Sequence, residues 1–144
     1  MPDFTPAPSS DYQLHIEVRP EYLPEESNPP RQYLFAYHVT ITNTGNVPVQ
    51  VIARHWIITD AYKHVEEVRG LAVVGHQPLL EPGDSFSYSS GTPLRTPEGR
   101  MEGSFFCVAV DGTRFDAPIP PFALQAHQPD ADPPEAAPAN RVLH

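Results

Sequence analysis

Two stretches of this sequence carry residue types that could do chemistry. The first is Arg54-His55-Trp56, set inside the apolar run from Gln50 to Asp60. A cation, a titratable ring and the only tryptophan stand side by side there. Burying an unpaired cation costs several kcal/mol, so Arg54 and His55 need partners or belong to a binding surface. The second stretch is Gly70-Leu71-Ala72-Val73-Val74-Gly75, followed by Gln77-Pro78. It approaches G-x-G-x-x-G, with Ala72 in the middle-glycine place. In nucleotide-binding folds that glycine admits a pyrophosphate, and the third glycine opens a helix whose N-terminus holds the charge. Here Pro78 follows closely and no helical pattern does. Gly70 and Gly75 are therefore expected to serve turn geometry or close packing.

The remaining reactive types are scattered. No two of His15, His38, His55, His64, His76, His127 and His144 stand at zinc-site spacing. A metal site assembled by the fold would draw on His55, His64 or His76 with Asp60. Cys107 is the only cysteine, so no intramolecular disulfide can form. Its setting, Phe105-Phe106-Cys107-Val108, is that of a small core residue. Ser89-Ser90-Gly91 follows an amphipathic strand and precedes a loop, unlike a nucleophile elbow. The expectation is a protein without enzymatic activity, cofactor or metal site.

The elements that must position these residues read as strands. Tyr12 to Arg19 alternates apolar and polar, as does Gln32 to Thr42. Asn43-Thr44-Gly45-Asn46 has turn chemistry, which makes 32–60 a hairpin with Val49 to Asp60 as its second strand. In that second strand Val49, Val51 and Ala53 share one face, and Ile52, Arg54, Trp56 and Ile58 the other. Both faces carry apolar residues, which places the strand inside a two-layer structure. Val65 to Val74, Ser85 to Ser90, Arg100 to Val110 and Thr113 to Leu124 complete the set. In the strand from Arg100, Met101, Phe105 and Cys107 oppose Glu102, Ser104 and Phe106. The 19 prolines are hostile to helices. About seven strands joined by turns predict an all-β, antiparallel sandwich of the immunoglobulin or fibronectin type III kind. A small barrel is the alternative. The expected organisation is a flexible tail over 1–11, the sandwich over 12–124 and a disordered, proline- and acid-rich tail over 125–144.

Charge and hydropathy narrow the partner class. The 144 residues carry a formal net charge of −9, with Lys63 the only lysine. Nucleic acid is therefore not expected as the main partner. No apolar stretch approaches the ~18–20 residues of a membrane span, and Met1-Pro2-Asp3-Phe4 lacks signal-peptide character. The expectation is a cytoplasmic protein without membrane insertion.

Taken together, the motifs resemble a known family. Tyr37-x-Val39-x-Ile41-x-Asn43-x-Gly45, Arg54-His55-Trp56-x-Ile58-x-Asp60 and Val73-Val74-Gly75-x-Gln77-Pro78 are similar to the ApaG (CorD) family. So are Leu80-x-Pro82-Gly83, Phe86-x-Tyr88-x-Ser90-Gly91 and Thr96-Pro97-x-Gly99-x-Met101-x-Gly103. The family pattern commonly has glycine where this chain has Ala72. The resemblance implies a fibronectin type III-like sandwich with no established enzymatic activity. It also implies a genetic link to cobalt tolerance and magnesium efflux. Related domains in eukaryotic F-box and polymerase-interacting proteins imply a binding module. The expected partner is an unidentified protein, with weak homodimerisation as the self-association admitted. Binding of a divalent cation or a nucleotide polyphosphate is the alternative. The expected surface comprises Arg54, His55, Trp56, Gly70, Gly75, Gln77 and Pro78.

Overall fold

Phe35, Tyr37, Val39 and Ile41 alternate along one strand, and each is at most 1% exposed. On the other side His38, Thr40 and Thr42 are half-buried, and Ala36 is buried. The computed structural model describes residues 11–126. The tails expected over 1–11 and 125–144 fall almost wholly outside the described residues, as do His127 and His144. Eight strands follow in chain order: β1 (Leu14–Tyr22), β2 (Tyr33–Asn43), β3 (Val49–Asp60), β4 (Val65–Leu71), β5 (Leu79–Leu80), β6 (Ser85–Leu94), β7 (Glu98–Ala109) and β8 (Arg114–Gln125). Among the described residues the only helical turn is the short 3-10 turn Pro24–Glu26. No helix among them is long and apolar enough to cross a membrane.

The strands form two antiparallel sheets. One has the order β1-β2-β6; the other runs β4-β3-β7-β8, with β5 beside the start of β3. Apolar residues from both sheets meet in one core that includes Ile41, Val51, Trp56, Met101 and Phe105. This is the antiparallel β-sandwich that the strand pattern predicts. β5 escapes sequence reading because two residues cannot show a period.

Two expectations are corrected. β2 and β3 are not a hairpin: β2 pairs with β1 and β6, and β3 with β4, β5 and β7. The connection carries the chain from one sheet to the other. Buried Asn43 holds it, donating from Nδ2 to the carbonyls of Val47 and Leu80 at 2.9 Å each and accepting from the Gly45 N–H at 2.8 Å. The Asn-Gly chemistry is used in a crossover between layers.

The second correction concerns the faces of β3. The register against β7 shifts between Val51 and Ala53, leaving Ile52 as the extra residue of a β-bulge. Strict alternation puts Val51 and Trp56 on opposite faces. The bulge resets the phase, so that Val49, Val51, Trp56 and Ile58 all enter the core. Ala53, His55 and Ile57 then lie on the outer face. The apolar character of both apparent faces comes from this phase change.

The sheet edges differ. In an antiparallel pair, alternate residues point both backbone groups at the neighbour and the others point them away. The bonds Ala109 N–H to Thr113 O and Ala126 N–H to Pro97 O set this alternation along β8. They place the nitrogens of Pro118 and Pro121 on its outer side, where a missing N–H costs no bond. β1 and β8 pack together along that side of the sandwich. β4 and β6 flank the other side, where the His76 ring rests 5.6 Å from that of Phe86.

Candidate functional site

Arg54 follows the bulge on β3 and pairs with Gly70 on β4. Its guanidinium lies over Gly70, and a β-carbon there would stand 2.7 Å from Nη1. Nη1 donates to the carbonyls of Leu71 and Ala72, both at 2.9 Å. The cation is thus used to close the end of β4. Gly70 is glycine because Arg54 occupies its side-chain space.

His55 points to the outer face. Its cross-strand neighbours are Arg69 on β4 and Ser104 on β7. Its Nε2 makes no hydrogen bond and lies 3.7 Å from Glu67 Oε1. Arg69 Nη2 stands 3.8 Å from Glu67 Oε2, so one carboxylate lies between the imidazole and the guanidinium. These are contacts of a partly exposed surface, where an ion pair adds little to stability.

One row further along the same face, Leu71, Ala53, Phe106 and Asp116 lie side by side across β4, β3, β7 and β8. Leu71 is 73% exposed and Phe106 36%. Together with Arg54, His55, Arg69, Gly70 and Ser104 this row lines a shallow groove of about 530 Å³. The groove has an apolar strip, with a guanidinium, an imidazole and a carboxylate at its rim.

Trp56 is not part of it. Its side chain is 0% exposed, edge-on to Tyr37 with ring centroids 5.1 Å apart, and it also meets Phe105 at 6.2 Å and Phe122 at 6.1 Å. Gly75, Gln77 and Pro78 stand beside the groove as builders of the neighbouring loop. Ala72, Val74 and Gly75 all have positive φ, at 69°, 48° and 80°. Val73 and His76 exchange backbone hydrogen bonds around Val74-Gly75, a turn of the I′ kind. Gln77 Nε2 donates to the Ile52 carbonyl at 3.0 Å, and the Ala72 N–H donates to the same oxygen at 2.8 Å. The Pro78 carbonyl accepts from the Val51 N–H. The loop is therefore fastened to the bulge. Its left-handed residues are spent on returning the chain, and Val73 is buried beneath it.

Of the seven residues singled out by sequence, Arg54, His55 and Gly70 meet in one groove. Ala53, Ser104, Phe106 and Asp116 are the members that no sequence pattern places beside them. Asp60 and His64 do come together, in a structural role: Asp60 Oδ1 accepts the N–H groups of Tyr62 and His64 and shapes the β3–β4 turn. Among the described residues no three His, Cys, Asp or Glu side chains gather as metal ligands. Cys107 is 0% exposed, and burial pushes its thiol up to about 12. Burial likewise pushes Tyr37 up to about 12, opposed in part by its bond to Ser90 and the charge of Arg54. Tyr88 is raised in the same way.

Comparison with known proteins gives a consistent picture. A family model described as the ApaG domain matches residues 24–109, which span β2 to β7 and every member of the groove but Asp116. Protein ApaG of Ralstonia nicotianae is 61% identical over 116 residues, covering 80% of this chain and 94% of that protein. Protein ApaG of an Acidovorax species is 53% identical over 138 residues, covering 95% and 99%. A crystal structure described as an ApaA protein of Bordetella pertussis superposes with a TM-score of 0.80 at 54% identity. It covers 86% of this chain and 100% of that one.

Proposed function

Because this chain belongs to the ApaG domain family, we propose that it is a non-enzymatic binding module, with another protein docked on the outer face of its five-stranded sheet. The carrying observation is the row Leu71–Ala53–Phe106, an apolar strip laid open across three adjacent strands. A contiguous apolar strip with a polar rim is what a partner surface needs. Arg69, His55 and Asp116 supply the rim, and the net charge of −9 favours a partner that is not a nucleic acid. On this reading the module works in the cytoplasm. The family's link to cobalt tolerance and magnesium efflux is then exerted through the partner. The buried thiol of Cys107 offers no nucleophile, which supports the non-enzymatic reading.

The test compares affinity capture from a bacterial lysate by the full chain, by Leu71→Asp and by Phe106→Asp. Melting temperatures are measured alongside, because both side chains are exposed. One protein retained by the parent and lost from both stably folded variants is the expected result. An identical captured set from all three would overturn the proposal.

A further inference from the structure

The edge strands of the two sheets are not equally available. β8 presents Pro118 and Pro121 outward and packs beside β1. The alternation along β4 follows from two bonds at its ends, Ala72 N–H to Ile52 O and Asp60 N–H to His64 O. By the register, Glu66, Val68 and Gly70 turn their backbone groups to β3. Val65, Glu67 and Arg69 turn theirs outward, and among the described residues no strand pairs with them. Two charges are also left over here. Among the described residues no carboxylate stands within ion-pair distance of Arg54, and no cation within that distance of Glu66. Both belong to the inward-turned face of their strands. The Arg54 guanidinium lies over Gly70, and Glu66 is on the same side of β4 as Val68, which packs against the core.

We propose that β4 is a dimerisation edge, pairing antiparallel with β4 of a second copy about a two-fold axis at Val68. In that register the edge is its own complement. Glu67 of each copy opposes Arg69 of the other. Both are outward-turned residues, so each such pair exchanges backbone N–H···O bonds and sets a carboxylate beside a guanidinium. Val65 opposes Leu71, 54% and 73% exposed, and lengthens the apolar strip of each outer face. On the other side of the strand Val68 meets Val68, and Glu66 opposes Gly70 of the second copy. Gly70 has no side chain and the Arg54 guanidinium fills that space. The leftover carboxylate of one copy is thus brought to the leftover cation of the other. Neighbouring registers lack this match. A centre at Glu67 sets that carboxylate against itself, and a centre at Arg69 does the same with the guanidinium. A foreign strand would have to reproduce this order of residues, whereas a second copy already holds it. The β6 edge offers only Ser85, Ser87 and Ser89. Their hydroxyls are engaged by Thr42, Thr40 and His38 and carry no charge to fix a register.

The experiment follows self-association of the full chain by sedimentation equilibrium from micromolar to millimolar concentration, with amide hydrogen exchange at both ends of that range. The chain is expected to pass from monomer to dimer and no further, with exchange slowed at Glu67 and Arg69. Glu67→Arg and Arg69→Glu each turn two attractive pairs into repulsive ones and should weaken the dimer roughly tenfold. Glu66→Lys should weaken it too, by setting an ammonium against Arg54. All three side chains are exposed, so melting temperatures should hold. Glu67→Arg mixed with Arg69→Glu should form a mixed dimer, and the double variant should recover association, because both restore opposite charges at each pair. A chain still monomeric at millimolar concentration would overturn the proposal. So would a dimer indifferent to the charge reversals, protection centred on 85–89, or reversals that neither mixing nor the double change repairs. Protection of β4 that arises only with a foreign protein bound would overturn it in favour of a foreign strand. Docking on the outer face is read from Phe106→Asp, which lies outside the dimer contact, so the two proposals fail separately.

Discussion

The guanidinium of Arg54 occupies the volume that a side chain on Gly70 would need. The same guanidinium satisfies two carbonyls at the end of β4. Gly70→Ala should push the guanidinium aside and break both bonds. The loss expected is about 1.5–3 kcal/mol, the range for hydrogen bonds to a charged group. Arg54→Ala should cost a similar amount. The double variant should cost much less than the sum, since both changes remove one arrangement. Urea unfolding of the four proteins gives the coupling, and additive costs would contradict this account.

Trp56 fills the centre of the core among Tyr37, Phe105 and Phe122. Trp56→Ala should destabilise the protein by about 3–5 kcal/mol. A large fall in melting temperature is the measurement to make. His55→Ala, one residue away and on the outer face, should leave it nearly unchanged.

The Val74-Gly75 turn contains avoidable strain. Val74 is β-branched and has a φ of 48°, a conformation that asparagine adopts far more easily. Val74→Asn should raise stability by about 1 kcal/mol, because Asn-Gly suits a turn of this kind. Gly75→Ala should lower it by a similar amount, although an added β-carbon meets no atom within 4 Å. Chemical denaturation midpoints of the two variants should therefore move in opposite directions.

Stability should fall on the alkaline side. Burial raises Cys107 from 9.0 to about 12 and Tyr37 from 10.0 to about 12. Between these values the unfolded chain releases protons that the folded chain retains. The contribution is complete below about pH 9 and is lost as pH rises towards 12. Each group adds a slope of about 1.4 kcal/mol per pH unit within its window. Urea midpoints should be level up to pH 9 and then decline. In Cys107→Ala the decline should begin about one pH unit later, where tyrosine takes over.

Much of this architecture was legible in the residues. The alternation of Phe35 to Ile41 predicts β2, and the alternation of Glu102, Ser104 and Phe106 against Met101, Phe105 and Cys107 predicts which ring of β7 faces outward. What could not be read was adjacency. Phe106 lies beside Leu71 only because Ala53 pairs with both, and that register depends on a bulge at Ile52 that no local pattern announces. The hairpin reading of 32–60 failed for a related reason. Turn chemistry at Asn43 to Asn46 specifies a change of direction, while the choice of sheet is made by long-range pairing. Arg54 looked like a ligand group because its partners, two backbone carbonyls, are invisible in a string of side chains.

The outward nitrogens of Pro118 and Pro121 also bear on stoichiometry. Copies of this chain could polymerise through the five-stranded sheet only by using both of its edges, β4 and β8. At those two prolines the next copy would find no N–H to bond. Growth by that route stops at its first step. The sheet has one margin with its backbone groups turned outward, at β4, and one where two proline nitrogens take that place, at β8. A protein built this way can accumulate in a cell without forming filaments along that axis.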